Sequence, residues 1–351
     1  MRRQLAHTFN DVISLENLLC AWAEFLNGKR NKPDVQLFGR HLMDNLNALH
    51  RELKAKQYRH GGYYAFSISD PKPRNIHKAS VRDRVLHHAV YRSLYPFFDR
   101  IFIPDSYSCR EEKGTHKALE KFRRYGWKAS KNNTRTCWVL KCDIRKFFAS
   151  INQDILAGIL STYIPDTDVI WLIEQIVRSF HSTQEGVGLP LGNLTSQLLV
   201  NVYMNEFDQY AKHSLKAKHY IRYADDFVFL SDDKDWLVQQ LPYIERFLRE
   251  VLSLSLHPDK VYIRSLASGV DFLGWVHFPD HQALRSTSAR RMHKRLRDNP
   301  KPETFQSYLG LLSHGNTEKL QAEVANDYWL WGSKEEGYSE WEGGVPFDWD
   351  G

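Results

Sequence analysis

Two adjacent acids, Asp225 and Asp226, lie between two runs of β-forming residues, 221–223 and 227–230. This pattern predicts two strands that meet at a tight turn. Such a hairpin presents both carboxylates at its tip, where like charges held close together are costly unless cations bind them. We therefore expect a divalent-cation site here. A second acid pair, residues 232–233, lies in a polar run with no strand after it, and we interpret it as a solvated turn.

A third carboxylate could complete this site. Asp143 closes the apolar run 138–142, which we predict to be a buried strand. An acid at a strand end is by itself more often a cap than a ligand, but Mg²⁺ requires several oxygen ligands. Asp143, Asp225 and Asp226 together could hold two Mg²⁺ ions, with Mn²⁺ as an acceptable substitute. Two ions about 3.5–4 Å apart activate an attacking hydroxyl and stabilise the leaving group of a phosphoryl transfer, so we predict nucleotidyl transfer.

The sequence Tyr-Ala-Asp-Asp at residues 223–226, with the strand that ends at Asp143, resembles the palm of a reverse transcriptase. The resemblance extends over residues 5–330. It implies an α+β fold in the shape of a right hand, with an antiparallel palm sheet and a helical thumb. It also implies an RNA-directed DNA polymerase that uses template RNA, an RNA/DNA hybrid and deoxynucleoside triphosphates. The expected domains are an N-terminal extension with fingers at 1–135, a palm at 136–280, a thumb at 281–332 and a mobile acidic tail at 333–351.

The resemblance also nominates residues that contact the nucleotide. Lys72 lies between two prolines in a turn that directs it to solvent. Arg110 precedes a glycine at a helix start and could present its planar fork to the triphosphate. Lys260 is expected to protonate the departing pyrophosphate, with a simple strand-flanking lysine as the alternative. Phe148, five residues after Asp143, would clash with a ribose 2′-hydroxyl, which implies deoxyribonucleotide substrates.

Residues that contact the template and primer are predicted in two segments. A glycine-rich loop before a helix permits close approach of a nucleic-acid backbone, and a later hairpin resembles the primer grip. Basic residues at 290–297 suit a thumb that follows phosphates without reading sequence. The predicted contacts are Gly192, Ser196, Gly274, Trp275, Arg290, Arg291 and Lys294.

Composition agrees with a polyanionic partner. The net charge is +6, and residues 334–351 hold six acids and one lysine, so the rest of the chain carries the excess of positive charge. The four cysteines show no Cys-x-x-Cys spacing, which argues against a zinc site or a disulfide framework. No apolar run approaches the length of a membrane span, and the N-terminus lacks a signal region. We therefore expect a cytoplasmic protein, encoded by a bacterium or a phage, with no membrane partner.

The branch of the family is indicated by residues 190–197. Group II intron and retron enzymes usually show Pro-Gln-Gly at the start of this loop and Ser-Pro at its end, whereas this chain has Pro-Leu-Gly and Ser-Gln. The loop with Leu191 and Gln197 is similar to that of reverse transcriptases from diversity-generating retroelements. That resemblance implies errors at template adenines, nucleotide-site contacts from Gln197, and a small, basic, oligomeric accessory variability protein as a partner.

Two alternatives stay open at this point. The chain could be a phage-defence enzyme or another group II-like reverse transcriptase, because some of these have a nearly identical loop. It could also be a non-catalytic RNA-binding scaffold with the same fold. Three converging carboxylates argue against the scaffold, which has no use for them.

Overall fold

A computed structural model describes residues 3–69 and 73–332 of the chain. Lys72 and the acidic segment 333–351, both the subject of predictions above, lie outside the described residues. The helices are α1 Phe9–Ile13, α2 Leu15–Phe25, α3 Pro33–Arg40, α4 Leu42–Lys54, α5 Val81–Asp99, α6 Thr115–Ala129, α7 Phe147–Ser150, α8 Gln153–Ser161, α9 Thr167–Val177, α10 Leu194–Gln209, α11 Lys234–Leu252, α12 Ser286–Asp298, α13 Pro302–Leu312 and α14 Glu318–Gly332. The strands are β1 Tyr63–Ile68, β2 Arg74–Ala79, β3 Trp138–Asp143, β4 His219–Tyr223, β5 Asp226–Ser231, β6 Tyr262–Ser265, β7 Val270–Phe272, β8 Trp275–His277 and β9 Gln282–Leu284.

These elements confirm the predicted α+β class, with helices packed around antiparallel hairpins. The chain divides into two compact units, residues 1–263 and 264–351. The predicted boundaries of fingers, palm, thumb and tail stay predictions.

The N-terminal helices pack because each carries an apolar stripe. On α2 the buried residues Leu18, Ala21, Trp22 and Phe25 recur every three or four positions, which places them on one face of the helix. The Ser14 side chain caps α2 by accepting a hydrogen bond from the backbone N–H of Asn17. The buried face packs against α5 and α4.

A four-stranded sheet has the strand order β4-β5-β3-β6. Residues 227–229 of β5 and 139–140 of β3 are fully buried, because α6 packs against β4 and β5 while α11 packs against β3 and β5. Burial on both faces explains why these strands read as continuous apolar runs rather than as alternating ones. The sheet therefore provides a rigid support for the acids at the end of β3 and β5.

The second unit contains a three-stranded meander and a small helical core. Strands β7 and β8 join through Leu273 and Gly274, both with positive φ, which is the geometry of a tight hairpin turn. Helices α12, α13 and α14 pack around Met292, Leu296, Leu312 and Val324.

Two predicted contacts with template and primer lie in the hairpin of this unit. Trp275 is only 2% exposed, and its ring lies so close to Gly315 that a Cβ added to that glycine would overlap it. The side chain of Trp275 is therefore packed within the unit, and its contact with template or primer stays a prediction. Gly274, in the turn before it, is half-buried.

Candidate active site

Asp143 and Asp226 lie directly opposite each other in the antiparallel pair of β3 and β5. Tyr223 pairs with Asp226 across the β4–β5 hairpin, which leaves Ala224 and Asp225 as a two-residue turn. Ala224 has φ +56, as a turn this tight requires, and the backbone N–H of Ile144 donates to Asp225 O at 3.2 Å. The three acids nominated from sequence thus meet at one end of the sheet.

The negatively charged carboxylates in this cluster repel one another, and burial further disfavours their ionised forms. Burial, and then repulsion from Asp143, raises the pKa of Asp225 above its usual range. Burial raises the pKa of Asp226 to about 6, even though the Lys141 ammonium opposes the shift. The Oδ1 atom of Asp226 is buried and has no hydrogen-bond partner. A group of desolvated, repelling carboxylates with an unsatisfied oxygen is chemically suited to divalent cations.

Two lysines neutralise part of this charge. The Lys260 Nζ atom lies 2.9 Å from Oδ1 of Asp143, and the Lys141 Nζ atom lies 3.0 Å from Oδ2 of Asp226. The prediction of Lys260 as a site residue thus agrees with its position beside Asp143, although its role as an acid stays a prediction. The Lys141 contact was missed, and the signal in the sequence is a lysine inside an otherwise apolar strand.

Within residues 3–69 and 73–332, no three His, Cys, Asp or Glu side chains are already arranged to hold a metal ion. The carboxylates of Asp143 and Asp226 instead pair with ammonium groups. An ion that took both oxygens of Asp143 would displace the exposed Lys260 side chain from Oδ1. The donor set fits two Mg²⁺ ions in oxygen type and charge.

A buried ion pair between β4 and α10 supports the turn formed by residues 224–225. Arg222 and Asp208 are both completely buried, and the guanidinium makes two hydrogen bonds of 2.7 and 2.8 Å to the carboxylate. Arg222 also donates to the carbonyl of Ala224 and to Asn201 on α10, each at 3.1 Å. The pair thereby ties the acid-bearing turn to the central helix. This pair was not identified from the sequence. The signal that could have found it is a single arginine within a run of mostly apolar and aromatic residues.

Arg110, predicted to bind the triphosphate, makes several contacts within the chain. Its guanidinium donates to the Asp99 carboxylate at 2.7 Å and to the carbonyls of Asp99, Ile103 and Ser106, and its side chain is only 5% exposed. These contacts occupy the fork that was expected to bind a triphosphate. The structure gives Arg110 the role of tying the end of α5 to the following loop. Burial raises the pKa of Asp225, and the charge of Arg74 on β2 weakly opposes that rise, so Arg74 is a cation near the site.

The loop at residues 191–193 lies along the edge of β2. The His77 backbone N–H donates to Leu191 O at 3.0 Å, and the Asn193 amide donates to His77 O at 2.9 Å. Gly192 has φ +100, and a Cβ there would lie 2.7 Å from Ile76. Glycine is therefore required by the close approach of this loop to the β1–β2 hairpin.

Other predicted contacts in this region differ in their accessibility. Ser196 is 2% exposed on α10, so its side chain packs inside the unit, and its contact with a template stays a prediction. Gly192 is exposed, and Gln197 and Phe148 are half-buried. Phe148 lies on α7, directly after the acid-bearing strand, and its carbonyl accepts a hydrogen bond from the Leu189 N–H at 2.8 Å. Their roles at the nucleotide stay predictions.

In the second unit, the predicted phosphate contacts lie on one helix. Arg290, Arg291 and Lys294 are exposed on α12, while Met292 and Leu296 face the core. This amphipathic arrangement places the basic side chains on the solvent-facing side of the helix, where phosphate contacts are expected.

Comparisons with known proteins agree with the geometry. The model of the family described as "Reverse transcriptase (RNA-dependent DNA polymerase)" matches residues 69–277, more than half of the chain. "Protein YkfC" of Escherichia coli (strain K12) is 26% identical over 63% of this chain and 65% of its own length. "Group II intron-encoded protein LtrA" of Lactococcus lactis subsp. cremoris is 22% identical over 66% of this chain and 48% of its own. "Putative COX1/OXI3 intron 2 protein" of Saccharomyces cerevisiae (strain ATCC 204508 / S288c) is 21% identical over 61% and 30%.

The chain thus spans less than two thirds of the length of these relatives. Along the described part of the chain, no helix combines the length and the apolar character needed to cross a membrane. The match over residues 69–277 includes β3, β4 and β5 and the three acids that they position. The chain belongs to the reverse transcriptase (RNA-dependent DNA polymerase) family.

Proposed function

We propose that this protein synthesises DNA on an RNA template by two-metal phosphoryl transfer. The observation that carries the proposal is the pairing of Asp143 with Asp226 beside Asp225 at the end of a rigid sheet. The substrates are deoxynucleoside triphosphates, a template RNA and the growing RNA/DNA hybrid. The expected location is the cytoplasm of a bacterium, with the gene in the bacterium or its phage.

Each group of candidate residues has its own proposed role in the reaction. Asp143, Asp225 and Asp226 would hold two Mg²⁺ ions, or Mn²⁺, and the bound ions would supply activation of the primer hydroxyl and neutralisation of charge on the leaving pyrophosphate. Lys260, 42% exposed and next to Asp143, is placed to donate a proton to the leaving group. Phe148 excludes nucleotides that carry a 2′-hydroxyl. Lys72, the exposed Arg74 and the basic residues of α12 bind phosphates.

The test is primer extension on poly(rA)/oligo(dT) with the double variant Asp225→Asn, Asp226→Asn. Extension should be lost while binding of the template–primer persists. The chain supplies a matched control in Asp232 and Asp233, a second acid pair, in which Asp233 caps α11 by accepting from the Trp236 N–H at 2.9 Å. Asn also caps helices well, so the Asp232→Asn, Asp233→Asn variant should retain full extension.

The same experiment distinguishes an enzyme from an RNA-binding scaffold. A scaffold would bind the template–primer but extend no primer in the wild type, with Mg²⁺ or with Mn²⁺. Retained extension in the Asp225→Asn, Asp226→Asn variant would instead rule out the assigned metal ligands.

Within the family, we place the chain among the enzymes of diversity-generating retroelements. The support is the sequence of its palm loop, with Leu191 and Gln197 where group II intron enzymes usually have Gln and Pro. A tenfold change in fidelity corresponds to only about 1.4 kcal/mol, so a change in a loop near the templating base can alter it. A small, basic, oligomeric accessory variability protein is the expected partner.

The branch is tested by sequencing complementary DNA made on one template by the wild type and by Leu191→Gln and Gln197→Pro. Errors concentrated at template adenines, and reduced in either variant, support this branch. Low error at every base would favour a phage-defence enzyme or another group II-like reverse transcriptase.

A further inference from the structure

Lys141 is a charged residue in the interior of β3 that the proposed chemistry does not use. Positions 139, 141 and 143 share one face of the strand and lie opposite Leu230, Val228 and Asp226 on β5. Lys141 is therefore a diagonal neighbour of Asp226 on that face. Its Nζ atom reaches Oδ2 of Asp226 at 3.0 Å, and the two side chains are 9% and 18% exposed.

The two lysines of the site differ in how readily their ammonium groups can exchange a carboxylate contact for water. The Lys260 side chain is 42% exposed, so it can exchange its contact with Asp143 for water. The Lys141 side chain lies in a packed strand and is only 9% exposed, so it is much less accessible to water. An ammonium group that is taken out of water and then loses its carboxylate is strongly disfavoured, because burial has already removed its hydration. The Lys141–Asp226 contact should thus persist when cations enter the site.

The two oxygens of Asp226 are consequently different. Oδ2 is occupied by Lys141, whereas Oδ1 is buried without a hydrogen-bond partner. An ion that took both oxygens would displace Lys141, but an ion that took Oδ1 alone would leave the pair intact and satisfy the orphaned atom.

We propose that Lys141 is a positioning residue of the metal site, which restricts Asp226 to coordination through Oδ1 and lowers the affinity of the site for divalent cations. The proposal rests on the proposed metal-dependent function. Its physical basis is that a fixed positive charge next to a ligand carboxylate repels an incoming cation, and little water lies between them to screen this repulsion.

The test measures Mn²⁺ binding to the full-length protein by calorimetry and by electron paramagnetic resonance. The variants are Lys141→Met, which removes the charge and the donor, and Lys141→Gln, which removes the charge but keeps a donor. Both should bind Mn²⁺ at least tenfold more tightly than the wild type. Lys128→Met, at an exposed position of α6, removes the same net charge and should bind Mn²⁺ as the wild type does.

Thermal unfolding supplies a readout that a merely structural lysine would not change. Mn²⁺ should raise the melting temperature more in Lys141→Met than in the wild type, because a ligand that binds the folded state more tightly stabilises it more at the same concentration. An equal increase in both proteins, or unchanged Mn²⁺ affinity in both variants, overturns the proposal.

A crystal structure of the wild type soaked with Mn²⁺ decides the question even if neither variant folds. The anomalous signal should place the ion on Oδ1 of Asp226, with Lys141 still on Oδ2. Coordination through both oxygens overturns the proposal. These outcomes do not depend on polymerisation, so an inactive wild type would contradict the proposed function without deciding the role of Lys141.

Discussion

The acids of the candidate site depend on a residue that never touches the substrate. Arg222 is buried beneath the turn and holds the Ala224 carbonyl, Asp208 and Asn201 at the same time. A buried pair of this kind is costly to assemble, but it is far more costly to break by removing one partner. The Arg222–Asp208 pair fixes the position of the turn that carries Asp225.

We expect Arg222→Met to lower the free energy of unfolding by roughly 3–5 kcal/mol, because Asp208 would be left as a buried charge without its partner. Urea unfolding followed by circular dichroism measures the effect. The double variant Arg222→Met, Asp208→Leu should recover part of the loss. Arg135→Ala breaks an exposed pair with Asp232 and should cost less than about 1 kcal/mol. A small effect of Arg222→Met would show that the turn is supported by other contacts.

A second prediction at this scale concerns substrate choice. Replacing Phe148 with Ala should raise the incorporation of ribonucleotides relative to deoxyribonucleotides, because the smaller side chain no longer clashes with a 2′-hydroxyl. The measurement is single-nucleotide extension with matched pairs of nucleotides. Phe147→Leu, at the buried neighbouring position, serves as a control and should leave the ratio unchanged. An unchanged ratio in Phe148→Ala would place the gate at another residue.

At the scale of elements, the loop at residues 191–193 couples the central helix α10 to the β1–β2 hairpin. The His77 backbone N–H donates to Leu191 O, and the Asn193 side-chain amide donates to His77 O, so both bonds attach the loop to the hairpin. A shift of the hairpin would therefore move the start of α10, which begins at Leu194.

Gly192→Ala should weaken this coupling for two reasons, a strained positive φ and an overlap with Ile76. We expect a loss of roughly 1–3 kcal/mol in the free energy of unfolding and a lower rate of extension. Gly158→Ala is the matched control, because that glycine lies within α8 with open space around it, and alanine there should be neutral or stabilising by up to about 1 kcal/mol. Equal effects of the two substitutions would contradict the argument.

Two histidines on α5 should make the folding stability of the first unit decrease in acid. Burial lowers the pKa of His87 to about 3 and that of His88 to about 4. In the unfolded chain both titrate near 6.5, so the unfolded state binds more protons below that pH and stability falls as the pH drops from 6.5 towards 4.

His87→Gln should therefore reduce the difference in unfolding free energy between neutral and acidic solution. The expected reduction is on the order of 3 kcal/mol between pH 6.5 and 4, since one unit of pKa corresponds to about 1.4 kcal/mol. Urea unfolding over a series of pH values measures it. His213→Gln, at an exposed position, should leave the pH dependence of the wild type unchanged. Identical pH profiles for wild type and His87→Gln would refute the prediction.

At the scale of the whole molecule, the net charge of +6 favours a polyanionic partner, and α12 concentrates exposed cations. Replacing Arg290, Arg291 and Lys294 with Gln should weaken hybrid binding and flatten its salt dependence. Each lost phosphate contact should reduce the slope of log K against log salt by about 0.7–0.9. Fluorescence anisotropy at several salt concentrations measures the slope.

The control for this experiment removes the same charge from exposed positions of the first unit, with Lys128, Lys218 and Arg249 replaced by Gln. The control protein should keep the wild-type slope. If both triple variants lose affinity equally, binding reflects net charge alone. If the α12 variant keeps the wild-type slope, the helix presents only a solvated face or binds a protein.

The sequence by itself determined the local features of this protein. Apolar runs that end in Asp143 and flank Asp225 and Asp226 define strands and a turn, because these depend on residues close together in the chain. The same holds for the apolar stripe of α2 and the charge of α12. The residue types and their order were also sufficient to indicate the family.

Only the tertiary structure decided which distant side chains meet. It placed Asp143 opposite Asp226, paired Lys141 with Asp226, and buried Arg222 against Asp208. It also turned Arg110 inwards and enclosed Ser196 and Trp275, which the linear pattern had left available. The physical reason is that the register of a sheet and the burial of a side chain depend on packing between segments far apart in sequence, which no local pattern encodes.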